Sequence, residues 1–178
     1  MAPNTPDPKK IPIPSYENGF VGSGGNEDRF KIVSFWNSID KHLTMTSTFG
    51  PLCQGPPGHA HGGSIAALLD EAMGGSAWLS GYPVVAASFT INLRKMLPLG
   101  TTCDAVGWVS EVKGRKVFTK GTLTAKGGET DGTLHADSEG VFVILQKKDL
   151  PKGFLEMDSA ASAWIQFVKS GKPDFFNK

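Results

Sequence analysis

Residues 64–79, SIAALLDEAMGGSAWL, set Ile65, Leu68, Leu69, Ala72 and Leu79 at helical spacing, and the stretch is apolar around well over half its circumference. A helix of that kind is buried, so the rest of the chain has to wrap around it. The segment before it, GPLCQGPPGHAHGG (50–63), is dense in Gly and Pro and reads as a loop that opens into the helix.

The wrapping is legible on both sides. Upstream, FKIVSFW (30–36) and KHLTMTSTF (41–49) are β-rich runs about the short polar turn NSID, the pattern of a hairpin. Downstream, VVAASFTINLR (84–94) alternates, with Val85, Ala87, Phe89, Ile91 and Leu93 on one face and Ala86, Ser88, Thr90, Asn92 and Arg94 on the other, as in a half-buried strand. TCDAVGWVSEV, KVFTKGTLTAK and TLHADSEGVFVIL continue as three further strands, separated by KGR and by GGETDG. Two strands, a buried helix and four strands predict an α+β fold, a curved antiparallel sheet of about six strands around one long central helix. Residues 1–28, rich in Pro and Gly, read as an extended arm; residues 29–178 read as one domain, with a short amphipathic tail helix at 159–171 in which the closing Gly171 is the stop signal.

Composition excludes several classes. With 39% hydrophobic and 20% charged residues the 178-residue chain has the balance of a soluble domain, and 18 basic against 17 acidic residues lack the basic field that nucleic acid requires. No run reaches the length of a membrane-spanning helix, and the first 14 residues lack the apolar region of a signal peptide. Cys53 and Cys103 form no disulfide framework, which fits a reducing, cytoplasmic location. His59 and His61 alone do not complete a metal site, so none is expected.

The stretch GPPGHAHGGSIAALLDEAMGG places His61-Gly62-Gly63 nine residues, counted from the His, before Asp70. It resembles the hotdog-fold acyl-CoA thioesterases of the phenylacetyl-CoA thioesterase-like group, in particular members with a Gly-Pro-Pro-Gly lead-in. The resemblance covers about residues 30–147, including a Leu-Pro-Leu-Gly turn at 97–100. It implies hydrolysis of an acyl-CoA or acyl-carrier thioester, with Asp70 as general base or nucleophile.

Elementary chemistry gives each residue of the motif a role. Gly62 and Gly63 sit where loop becomes helix, where unpaired N–H groups at the positive end of the macrodipole make an oxyanion hole, and glycine lets a carbonyl approach. The same glycines would also let the helix pack closely against a strand. His61 can cap the helix or polarise the carbonyl. Asp70 falls at the edge of the apolar arc beside Ala66, Met73 and Ala77, where a raised pKa is expected; such a group either performs chemistry or holds a strand by hydrogen bonds. Glu71, about 100° further round, reads as structural or solvent-facing.

Ser88 matches a position where some relatives carry a hydroxyl that orients water, with Thr90 as its substitute. Gln54 stands next to the position of an amide that other relatives use. Arg94 and Lys95, with Arg115 and Lys116 at the next turn, are the cations expected to meet coenzyme phosphates. Coenzyme A belongs to the substrate, so no separate cofactor is implied. The resemblance further implies a homodimer or a tetramer of dimers, the oxyanion loop coming from one subunit and the carboxylate from the other. An enoyl-thioester hydratase or dehydratase, and a non-hydrolytic acyl-CoA binding protein, are the alternatives; the first needs a His opposed to a carboxylate, the second needs no carboxylate.

Overall fold

The computed structural model describes residues 8–11, 19–21 and 28–146; the predicted tail helix at 159–171 lies outside the described residues, as does most of the arm. The strands are β1 (Lys9–Ile11), β2 (Phe30–Asn37), β3 (His42–Phe49), β4 (Val84–Leu93), β5 (Thr102–Lys113), β6 (Lys116–Ala125) and β7 (Leu134–Ile144), and the helix α1 is Gly62–Leu79. They form one antiparallel sheet in the order β1-β2-β3-β5-β6-β7-β4. The seventh strand is the addition to the expected six. Part of the arm supplies it, as Lys9–Ile11 pairs with Trp36, Phe35 and Ser34 at the outer edge of β2.

The helix lies in the concave face of the sheet. Ile65, Leu68, Leu69, Ala72, Met73 and Ala77 are buried against it. Two glycines set how close it comes: a Cβ on Gly107 of β5 would stand 2.3 Å from the Ala72 carbonyl oxygen, and one on Gly121 of β6 would crowd Met73 and Leu69. Any side chain at 107 would push the helix off the sheet. The helix ends in a Schellman motif, with Gly81 at φ 91°, its N–H on the Trp78 carbonyl and the Tyr82 N–H on that of Ala77.

Strand β4 departs from the simple alternation. Its register steps from Ala86↔Phe142 to Ser88↔Val141, so Ala87 is the extra residue of a β-bulge. Val84 and Ala86, then Phe89, Ile91 and Leu93, share the helix side, and Val85 falls on the convex side, not with Phe89 as strict period two predicts. The strand is also less covered than expected. It is the sheet edge, and Val85, Phe89 and Leu93 are 51%, 39% and 56% exposed.

Candidate active site

The loop before α1 is tied down by its backbone: the His61 N–H donates to the Cys53 carbonyl at 2.7 Å and the Ala60 N–H to that of Leu97 at 2.8 Å. This fixes His61 as N-cap. Its extended backbone (φ −69°, ψ 139°) turns Nδ1 onto the Gly63 N–H at 2.9 Å. Of the two roles open to His61, capping is the one formed here. An accepting Nδ1 leaves the proton of the neutral ring on Nε2.

The cap changes the expected oxyanion hole. The Gly63 N–H is engaged by His61, whereas the Gly62 N–H meets no acceptor among the described residues. Gly62 is therefore the available donor. The sequence could not show this, because it depends on a side-chain rotamer. A Cβ on Gly62 would come within 2.9 Å of the tip of Leu93, so the approach is narrow. Gly62 lines a groove of about 300 Å³ together with Ile65, Leu93, Arg94, Lys95 and Met96.

Substituting proline for Gly62 tests the donor with little harm to the helix. Proline suits the first helical position, the extended backbone of His61 suits the residue before it, and Gly62→Ala, which puts the same Cβ against the tip of Leu93 but keeps the N–H, is the steric control. We expect Gly62→Pro to lower kcat for thioester hydrolysis by about a hundredfold while circular dichroism stays that of the parent. Unchanged turnover in a folded variant would remove Gly62 from the site.

Asp70 stands two turns into α1, half-buried, and its Oδ1 is fully buried with no hydrogen-bond partner among the described residues. Desolvation raises its pKa above the ordinary carboxylate value. The buried oxygen makes no strand-holding hydrogen bond, the structural role that the sequence left open. Of the two readings open to Glu71, structural or solvent-facing, the fold favours the first: it is half-buried, and burial, then the charge of Asp70, push its carboxyl up to about 7. Two neighbouring carboxyls with raised pKa values are an electrostatic feature that the sequence reading missed. Adjacency of Asp and Glu on an Ala- and Gly-rich helix was the available signal.

The remaining candidates separate in space. Ser88 and Thr90 pair with Val141 and Glu139 on the convex face of the sheet, away from α1 and so from Asp70 of the same chain. The bulge at Ala87 sits just before them. Gln54 stays in the loop, its Oε1 3.4 Å from the Gly58 N–H. Arg94 lies at the groove but its Nε is bound by the Asp137 carboxylate, which also accepts from Asn92 Nδ2 at 2.6 Å and is held below its usual pKa range by both. Lys95 lines the same groove, and its ammonium meets no partner among the described residues. Arg115 and Lys116 stand at the other end of the sheet, with the Arg115 guanidinium on the Ile144 carbonyl at 3.0 Å. Eleven residues of β7 separate the two basic ends, about 30 Å, so one chain cannot gather these four cations on one phosphate group.

Along α1, Gly62 and Asp70 are eight residues apart, about 12 Å of rise. That is too far for both to act on one carbonyl. His61 is a further residue away, so it does not oppose this carboxylate within one chain, the arrangement a hydratase would need. Among the described residues, no three His, Cys, Asp or Glu side chains gather as a metal site.

A sheet curled on one helix, with a glycine amide open at the helix N-terminus and a carboxylate half-buried within it, defines a hotdog-fold protein. The family model of the thioesterase superfamily matches residues 57–131 of the chain. The chain is 32% identical over 117 residues to the acyl-coenzyme A thioesterase THEM4 of Xenopus laevis, covering 65% of this chain and 51% of that protein. It is 29% identical to THEM5 of Mus musculus, an acyl-coenzyme A thioesterase, covering 67% of this chain and 47% of that one. The chain thus spans about half the length of the curated relatives it matches. A solved thioesterase superfamily protein superposes with a TM-score of 0.58 at 32% identity, over 63% of this chain and 53% of that one.

Proposed function

We propose that the protein hydrolyses acyl-CoA thioesters as a homodimer or a tetramer of dimers, with each site assembled from two copies of the chain. The observation that carries this reading is the open Gly62 amide at the positive end of α1, in a residue that lines a groove with Arg94 and Lys95. The thioester oxygen accepts from Gly62. The carboxylate of an Asp70, made more basic by burial, takes a proton from the attacking water, or attacks itself to give an anhydride that water then opens. The thiolate of coenzyme A leaves and is protonated. The names of the THEM4 and THEM5 relatives support this substrate class.

The test is release of free thiol from short, long and aromatic acyl-CoAs. Hydrolysis of at least one class supports the proposal, and release from none overturns it.

The 12 Å between Gly62 and Asp70 within a chain supports the shared site. So does the edge strand β4, with exposed apolar side chains on both faces. Antiparallel pairing of two β4 edges about a twofold axis would bring the Arg115 and Lys116 end of one sheet toward the Arg94 and Lys95 end of the other. Coexpression distinguishes shared from single-chain sites. Equal amounts of Gly62→Pro and Asp70→Asn chains, each nearly inactive alone, should recover about a quarter of wild-type activity, since half the dimers are mixed and each holds one intact site. Recovery of none would place both groups in one chain. The buried free thiols of Cys53 and Cys103 support a reducing compartment. No helix among the described residues is long and apolar enough to cross a membrane.

A further inference from the structure

We propose that His135 is a positioning residue that sets the Arg94–Lys95 turn for the phosphates of the coenzyme; the inference rests on the reading of that turn as a phosphate contact. His135 is the extra residue of a β-bulge in β7, where the register with β6 steps from Leu123↔Ala136 to Thr124↔Leu134. The bulge turns two successive residues inward, and His135 is 2% exposed. Three contacts tie it to the turn. Its carbonyl accepts the N–H groups of Arg94 at 2.8 Å and of Lys95 at 3.3 Å, and its ring Nδ1 lies 3.3 Å from the Lys95 carbonyl. Opposite a carbonyl, Nδ1 carries the proton and donates.

The other ring nitrogen shows that packing alone does not account for a histidine here. Nε2 is buried with no hydrogen-bond partner among the described residues, which an aliphatic side chain at that place would avoid. What the imidazole adds is the Nδ1–H on Lys95. Two residues along β7, Asp137 binds the Arg94 guanidinium from the convex side. Together, His135 holds the backbone of the turn and Asp137 one of its side chains, leaving the Lys95 ammonium to reach the groove mouth.

A positioning role of this kind predicts a split between substrates. With acyl-CoA, His135→Leu should raise KM about tenfold with kcat within about twofold, the pattern of lost uniform binding. With the matching acyl-pantetheine, which has no phosphate, both constants should stay at wild-type values. His135→Asn, whose amide nitrogen falls where Nδ1 stood, should restore KM for acyl-CoA. His135→Gln, with its amide nearer the place of Nε2, should not. Lys95→Ala tests the underlying reading separately: an unchanged KM for acyl-CoA would overturn the phosphate contact itself. If Lys95→Ala raises that KM while the His135 variants leave it unchanged, or shift acyl-CoA and acyl-pantetheine alike, or Asn and Gln behave the same, the positioning role is overturned. Comparing Asn with Gln keeps the test decisive even if His135→Leu does not fold.

Discussion

Asp70→Asn should lower kcat for acyl-CoA hydrolysis by about 10³-fold, within the range that a positioned base contributes. The substitution keeps the shape of the side chain and removes its ability to take a proton or to attack. Glu71 cannot take over, because it points about 100° away around α1. The same change should not weaken the fold. Burial makes the charged form of Asp70 unfavourable, and its buried Oδ1 makes no hydrogen bond among the described residues that Asn would break, so the urea midpoint at pH 8 should equal or exceed that of the parent. Loss of turnover without loss of stability marks a carboxylate kept for chemistry. Thiol release and urea titration on the same preparation give both numbers. Turnover within tenfold of wild type would show that another group drives the reaction.

Glu71→Gln has the larger consequence for stability. The ordinary pKa of this carboxyl is 4.5 and the fold raises it to about 7, first by burial and then by the Asp70 charge. The folded state therefore binds the proton more tightly than the unfolded chain. The stabilisation that follows is fully present below pH 4.5 and is lost as pH rises through about 7, amounting to about 3 kcal/mol over that window. Gln resembles the protonated acid and does not titrate. The stability difference between Glu71→Gln and the parent should thus be near zero at pH 4.5 and reach about 3 kcal/mol in favour of the variant at pH 8. Urea unfolding of both proteins at the two pH values measures it. Parallel pH profiles would show that Glu71 does not carry a raised pKa in the fold. Adding Asp70→Asn should narrow the difference, since the second cause of the shift is then gone.

Much of this was open to sequence reasoning because the signals were local. The helix announces itself through Ile65, Leu68, Leu69 and Ala72, and each strand through β-rich runs bounded by turn residues, patterns set by backbone periodicity alone. The spacing of His61, Gly62, Gly63 and Asp70 brings loop, helix start and carboxylate into view together. Where the reading failed, the deciding contact was distant. Strict alternation puts Val85 with Phe89, but pairing with β7 inserts a bulge at Ala87 and exchanges the faces. A helical wheel leaves Glu71 structural or solvent-facing, and the fold decides between them by half-burying it. Ser88 and Thr90 come to lie on the convex face of the sheet, away from Asp70 of the same chain.

The sequence by itself determined that one apolar helix must be enclosed by antiparallel strands, and that an Asp would sit within that helix behind a Gly-Gly entrance. Tertiary structure alone decided which glycine amide stays open, since the His61 ring bonds to Gly63 and not to Gly62. It also decided that Arg94 and Lys95 stand some 30 Å from Arg115 and Lys116 within one chain. Periodicity is a property of neighbouring residues, whereas a free donor or a shared groove depends on which distant groups the fold brings into contact and which it keeps apart.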